Sequence, residues 1–150
     1  MRVLLQRVTE ASVQVDGQLS GSIDGGMLIL LGVEAEDDME DIDWLVKKIS
    51  KLRIYSDEEG KMNLSIVDVD GSFLVVSQFT LHASTKKGNR PSFIKAARPE
   101  QAEHLYETFM KRLGEFSGLR VEKGVFGADM KLRLLNDGPV TIWMDSKNKE

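Results

Sequence analysis

Two short segments hold most of the side chains in this sequence that could do chemistry: Ser77-Gln78-Phe79-Thr80-Leu81 and Asn136-Asp137-Gly138-Pro139-Val140-Thr141. Each lies where an apolar, β-prone run gives way to polar or turn-forming residues. A rigid sheet fixes such positions while leaving them open to a ligand. Ser77 and Thr80 offer hydroxyls, and Gln78 offers an amide. The sequence has two histidines, His82 and His104, and no cysteine. A Ser-His-Asp hydrolase needs a histidine against its nucleophile, and no Gly-x-Ser-x-Gly elbow is present. His82 is the one imidazole close in sequence to a hydroxyl, that of Thr80 or Ser84. No His-x-x-x-His or Glu-x-x-His spacing suggests a metal, and without cysteine no thiolate site is available, so neither metal nor cofactor is expected. Asp68-Val69-Asp70-Gly71 lacks calcium-loop spacing and reads as a β-turn. The glycines from Gly17 to Gly26 lack dinucleotide or phosphate-loop spacing and read as hairpin turns. So few acid-base groups suit a mild catalyst or a binding module. Hydrolysis of an activated ester is such a reaction, because positioning and oxyanion stabilisation supply most of the rate.

Charge adds a second candidate. The net charge is −4, so a polyanion would be met only by a local positive patch. Lys86, Lys87, Arg90, Lys95 and Arg98 fall within thirteen residues that contain no Asp or Glu. Taken alone, this is a solvated basic loop. Phe79, Phe93 and Phe126 could stack on a base, although core packing is the commoner fate of phenylalanine.

The elements that must position these residues follow from periodicity. Val3–Val8 and Ala11–Val15 read as short strands, with Asp16-Gly17 turning the chain into a hairpin through Gln18–Ile23. Met27–Val33 is a continuous apolar run, as in a strand buried on both faces. Asp37 or Asp38 caps a helix whose apolar face is Ile42, Leu45, Val46, Ile49 and Leu52. Arg53–Tyr55 reads as a short strand, Ser72–Phe79 as a strong one, and His82 to about Ser92 as a polar loop. Pro99 opens a second helix with an apolar stripe of Ala102, Leu105, Tyr106, Phe109 and Leu113. Leu119–Lys123, Met130–Leu135 and Val140–Met144 complete the strands, with Asn136–Gly138 as a turn between the last two. The expectation is one α/β domain over residues 1–150, a mixed, partly barrel-like β-sheet with two main helices. The longest apolar run, Met27–Leu31, is far too short to cross a bilayer, and no signal-peptide pattern is visible. A cytoplasmic protein without membrane association is expected.

In order and spacing, several segments resemble the D-aminoacyl-tRNA deacylase family over essentially the whole chain. They are Gln6-Arg7-Val8, Leu31-Gly32-Val33, Gly60-Lys61-Met62-Asn63, Ser77–Leu81, Arg90-Pro91-Ser92-Phe93, Phe126-Gly127-Ala128-Asp129-Met130 and Asn136–Thr141. The resemblance implies a homodimeric ester hydrolase that removes D-amino acids, and glycine, from the terminal adenosine of tRNA. It implies that Ser77, Gln78, Phe79 and Thr80 line the site. Thr80 is the nucleophile candidate, but a threonine hydroxyl without a neighbouring base is a poor one, which favours water attack with Thr80 positioning the water or donating a hydrogen bond. It implies a cis Gly138-Pro139 peptide reaching the partner subunit's pocket, with Asn136, Phe126 and Met130 also serving substrate binding and chiral selection. Under it, Lys86, Lys87 and Arg90 meet tRNA phosphates.

Overall fold

The computed structural model describes residues 1–150. A single long strand, β1 (Arg2–Val15), is the spine of the sheet. Its second half pairs antiparallel with β2 (Gln18–Ile23) through a turn in which Asp16 and Gly17 both take positive φ, as a tight primed turn requires. Its first half pairs antiparallel with β3 (Gly26–Gly32) along the same edge. The sequence pattern suggested two strands broken at Thr9-Glu10. Instead both residues lie within β1, exposed, where its register against the last strand shifts.

Helix α1 (Met39–Lys51) crosses over from β3. Asp38 caps it, accepting from the Glu40 and Asp41 N–H groups at 2.9 and 3.4 Å, while the Asp41 carboxylate accepts from the Asp38 N–H at 2.9 Å. This reciprocal box satisfies donors that a helix start otherwise leaves free. The predicted strand at Arg53–Tyr55 is reduced to β4 (Tyr55–Ser56), which pairs with β5 (Met62–Leu64) as a small separate hairpin. Next, β6 (Ser72–Ser77) lies parallel to β3, and helix α2 (Pro99–Ser117) crosses over to β7 (Val121–Lys123), parallel to β6. Pro99 sits in the first turn of α2, where its missing N–H costs no helical bond.

Along β6, Phe73 and Val75 point into the core under the two helices, while Leu74 and Val76 join Val8, Val13, Ile23 and Leu28 inside the curl of the sheet. Burial on both faces is why these strands read as unbroken apolar runs. The sheet curls until β2 meets β7. There Ser20 Oγ donates to the Lys123 carbonyl at 3.2 Å, and Arg120 Nη2 donates to the Ser22 carbonyl at 3.3 Å. The result is the expected mixed, nearly closed sheet with two helices.

The last strand differs from expectation. β8 (Met130–Asp145) runs without a break through Asn136-Asp137-Gly138-Pro139, pairing antiparallel with the other edge of β1 from Val15 to Arg2. The turn signals are outweighed by this pairing, and the irregularity they encode is absorbed as register shifts around Val8.

Candidate active site

β3 and β6 run parallel and end side by side, and a cavity of about 590 Å³ lies beyond their ends. In sheets of this kind the carboxyl ends of the strands are where ligands are met. Leu31 and Val33 form its floor from the β3 end, and Val76, Ser77, Gln78 and Phe79 come from the β6 end. One wall is Phe93, Ala96 and Ala97 with Pro99, Ala102 and Tyr106 of α2; the other is Phe126–Met130 with Leu132 of β8. The lining is mostly apolar, with Ser77, Gln78, Tyr106 and Asp129 as its polar side chains.

β6 stops at Ser77, not at Phe79 as its sequence suggested, because the chain must bend around the end of β3. The Gln78 N–H donates to the Leu31 carbonyl at 2.8 Å, and a 3-10 turn then covers Phe79–His82. Gly32 makes the bend possible. A Cβ there would lie 2.9 Å from the Gln78 carbonyl oxygen, 3.0 Å from His82 Cδ2 and 3.1 Å from Leu81 Cβ. The turn closes through Leu81 N–H to the Gln78 carbonyl at 3.2 Å and Ala83 N–H to the Thr80 carbonyl at 3.0 Å. From outside it is held by Arg2, whose Nη1 donates to the Leu81 carbonyl at 3.0 Å while its Nε donates to Asp145 at 2.8 Å.

This turn presents Phe79 and Thr80 to solvent beside the cavity. Phe79 is 57% exposed, an unusual setting for so apolar a ring, and meets Phe93 edge to face with centroids 5.0 Å apart. Such an aromatic pair offers a stacking surface for a planar ligand. The Gln78 side-chain amide donates to Thr80 Oγ1. An amide N–H cannot take a proton from the hydroxyl, so Thr80 has no base beside it and is a weak nucleophile that can still donate a hydrogen bond. Tyr106 gives its hydroxyl proton to the Val75 carbonyl at 2.9 Å, and burial pushes its pKa up. The phenol is therefore a neutral part of the wall. Asp129, at the rim, is paired with Lys131 at 2.9 Å.

The Asn136–Thr141 segment is built differently. Asn136 Nδ2 donates to the carbonyls of Arg7 and Val140, each at 3.0 Å, and its Oδ1 accepts from Gln6 Nε2 at 3.2 Å and Thr141 Oγ1 at 3.1 Å. Arg7 pairs with Asp137 at 3.0 Å and donates to the Ile54 carbonyl. Tyr55 is packed beside this pair, and desolvation raises its pKa. The Gly138-Pro139 peptide is cis, with Gly138 at φ +115°, and a Cβ at Gly138 would lie 2.9 Å from Arg7 Nη2. Both Gly138 and Pro139 are exposed.

Of the residues the sequence singled out, the fold gathers Ser77, Gln78, Phe79, Phe126 and Met130 around one cavity, with Thr80 beside them. Asn136, Gly138 and Pro139 line no part of the cavity in their own chain. Lys86, Lys87 and Arg90 are exposed on the loop that follows the 3-10 turn, its base tied by reciprocal bonds between Ser84 and Ser92 at 2.8 and 3.0 Å. Sequence reasoning missed the wall from α2, because Ala102 and Tyr106 belong to an ordinary apolar stripe. It also gave Arg7 no role, because the groups Arg7 holds are remote in sequence. His104 is exposed on α2.

Comparison with known proteins gives these features a family. The model for "D-Tyr-tRNA(Tyr) deacylase" matches residues 4–145. A "D-aminoacyl-tRNA deacylase" of Flavobacterium johnsoniae is 61% identical over 150 residues, and one of Bacteroides thetaiotaomicron is 62% identical; each match covers 100% of both chains. Among solved structures, a "c-Myc DNA Unwinding Element Binding Protein" superposes with TM-score 0.91 at 41% identity, over 97% of this chain and 98% of that one. A probable eukaryotic D-amino acid tRNA deacylase shares the fold with TM-score 0.79 at 18% identity, over 95% and 97% of the two chains. The chain belongs to the D-Tyr-tRNA(Tyr) deacylase family.

Proposed function

We propose that this protein is a hydrolase of aminoacyl-tRNA esters that removes D-amino acids, and glycine, from the terminal adenosine of tRNA while sparing L-aminoacyl-tRNA. The observation that carries the reading is a family match over residues 4–145 whose motif Ser77-Gln78-Phe79 opens onto a cavity large enough for an aminoacyl-adenosine end. The exposed Phe79–Phe93 pair suits the adenine ring. In the reaction, a water oxygen bonds to the acyl carbon and the bond from that carbon to the ribose oxygen breaks. The water's proton passes to the ribose oxygen, with the neighbouring ribose hydroxyl assisting the transfer. The products are the free amino acid and tRNA. Gln78 and Phe79 help form the oxyanion environment through side chain or main chain, a task suited to donors and not to bases, and Thr80 positions the water or donates a hydrogen bond.

Chirality is read by the Gly138-Pro139 segment acting across a homodimer. The segment is braced within its own chain yet faces outward, which suits insertion into a two-fold partner's cavity. Inserted backbone there walls off the direction an L side chain would take. A D side chain points away and needs no pocket of its own, so many D-residues are accepted and glycine, with no side chain, also fits. Lys86, Lys87 and Arg90 meet backbone phosphates of the acceptor end without reading sequence. The cytoplasm, where charged tRNA is used, is the site of action. An RNA- or nucleotide-binding module without turnover would use the same cavity and basic loop, but it leaves the Gly138-Pro139 segment without a task.

Hydrolysis of matched D- and L-tyrosyl-tRNA, with glycyl-tRNA alongside, tests the reading. Loss of the D and glycyl esters with the L ester intact is expected. Equal loss of D and L would overturn the chiral reading, and binding without hydrolysis would favour the module.

A further inference from the structure

His82 closes the 3-10 turn, and the mechanism above gives it nothing to do. The residue is only 2% exposed, and neither ring nitrogen makes a well-formed hydrogen bond, although the Gly32 carbonyl lies near enough to favour a protonated ring. The ring packs against Gly32, with Cδ2 3.0 Å from where a Cβ at that position would stand. A substituent on Gly32 would therefore press on the imidazole and the Gln78 carbonyl together. The charged groups that face the ring are Arg2 from β1, the Met1 amine, and Glu34 from the segment after β3. Arg2 is engaged by Asp145, and the amine by Asp37.

An imidazolium in this place would lose its water and stand near two cations. Burial chiefly, with Arg2 and the Met1 amine contributing, holds the His82 pKa below the usual histidine range; the Gly32 carbonyl and Glu34 oppose this in part. A histidine whose folded pKa is depressed adds nothing unfavourable at neutral pH. Its contribution to stability is present above the ordinary histidine pKa of about 6.5 and is lost as pH falls through the lower folded value.

We propose that His82 is a positioning residue for the deacylation, its neutral ring seating the Phe79–His82 turn against Gly32 and thereby holding Phe79 and Thr80 at the cavity mouth. Gain of a proton in weak acid unseats the turn and disorders the site before the domain as a whole unfolds. This role rests on the deacylase reading of the cavity.

The test compares kcat and KM for D-tyrosyl-tRNA from pH 5 to 8 in the wild type, His82→Phe and the exposed control His104→Phe. Hydroxide dependence of ester hydrolysis is common to all three, so the ratio of each rate at pH 5.5 to its own rate at pH 7.5 isolates the imidazole. The wild type and His104→Phe are expected to lose roughly two- to threefold more of their kcat than His82→Phe does over that interval, short of the roughly tenfold that an unshifted imidazole would give. Parallel profiles would overturn the proposal. Because His82→Phe could fold poorly, the two histidine ring protons of the wild type are also titrated by NMR. His82 should titrate below the ordinary histidine value of about 6.5, and the Phe79 and Phe93 ring signals should move in step with it. A His82 that titrates at or above about 6.5, or aromatic signals indifferent to it, would overturn the proposal. An enzyme inactive at every pH would instead contradict the deacylase reading, and the NMR titration would still decide the role of His82.

Discussion

The two chemistry-bearing segments of this chain are equally well held but face opposite ways. Ser77–Leu81 leaves the end of a strand buried on both faces and opens at once onto a cavity whose walls come from β3, α2, the Phe126–Met130 loop and β8 of the same chain. Asn136–Thr141 lies on β8, which pairs only with β1, and Gly138 and Pro139 project into solvent. An ordinary surface turn needs little support. Here one asparagine makes four hydrogen bonds and an arginine pairs with the adjacent aspartate, all to hold two exposed residues. Rigid presentation without a target in the same chain is what a segment acting on a second copy requires. In the proposed mechanism the first segment binds and positions the ester, and the second judges its handedness.

The sharpest way to break this division of labour is at Gly32. Gly32→Val forces a branched side chain into the space that seats Gln78, Leu81 and His82, and should cost about 2–3 kcal/mol of stability. Misplacing the turn should lower D-tyrosyl-tRNA hydrolysis at least about a hundredfold. Thermal unfolding together with single-turnover rates would show whether activity falls further than stability. Asn136→Ala acts on the other segment. It strands the carbonyls of Arg7 and Val140 at a cost of about 1–3 kcal/mol, and should lower the D-to-L rate ratio roughly tenfold with KM for D-tyrosyl-tRNA little changed. A larger effect on KM than on selectivity would place the segment in binding and erase the distinction. Replacing Lys86, Lys87 and Arg90 together by Ala should raise KM about five- to tenfold, leave kcat near wild type and flatten the salt dependence of KM. The smallest effect is expected at Thr80. Thr80→Ala should retain kcat within about fivefold of wild type, whereas loss of all turnover would make the hydroxyl a nucleophile after all.

How much of this could be read in advance depended on whether the controlling interaction was local. The helices were legible because their stripes and caps are local, as were β3 and β6, whose unbroken apolar runs record burial on both faces. The continuity of β8 was not legible. Asn-Asp-Gly-Pro carries every local sign of a turn, and only pairing with β1 along its length overrides it. β1 was misread in the same way at Thr9-Glu10. Of the residues that line the cavity, Ser77, Gln78, Phe79, Phe126 and Met130 could be singled out from sequence. The wall made by Ala102 and Tyr106 could not, since a residue that faces a cavity and one that faces the core share the same helical stripe. The end of β6 at Ser77 depended on Gly32, more than forty residues earlier in the chain, and no local pattern records that contact.

The central claim, that the pocket of one protomer is completed by the Gly138-Pro139 segment of another, can be tested in a single heterodimer. One chain carries Gly138→Val, which disables the segment, and the other carries Ala128→Trp, which fills the cavity from its loop wall. The two chains bear different tags, are co-expressed and are purified over both affinity columns. The Ala128→Trp homodimer should be inactive, and the Gly138→Val homodimer should hydrolyse L- as well as D-tyrosyl-tRNA. Completion across the two-fold axis leaves the heterodimer one open cavity walled by an intact segment, and so about half of the wild-type rate on the D ester with the L ester spared. A heterodimer that hydrolyses the L ester as readily as the D ester would show that segment and cavity must belong to the same chain, and would contradict the account.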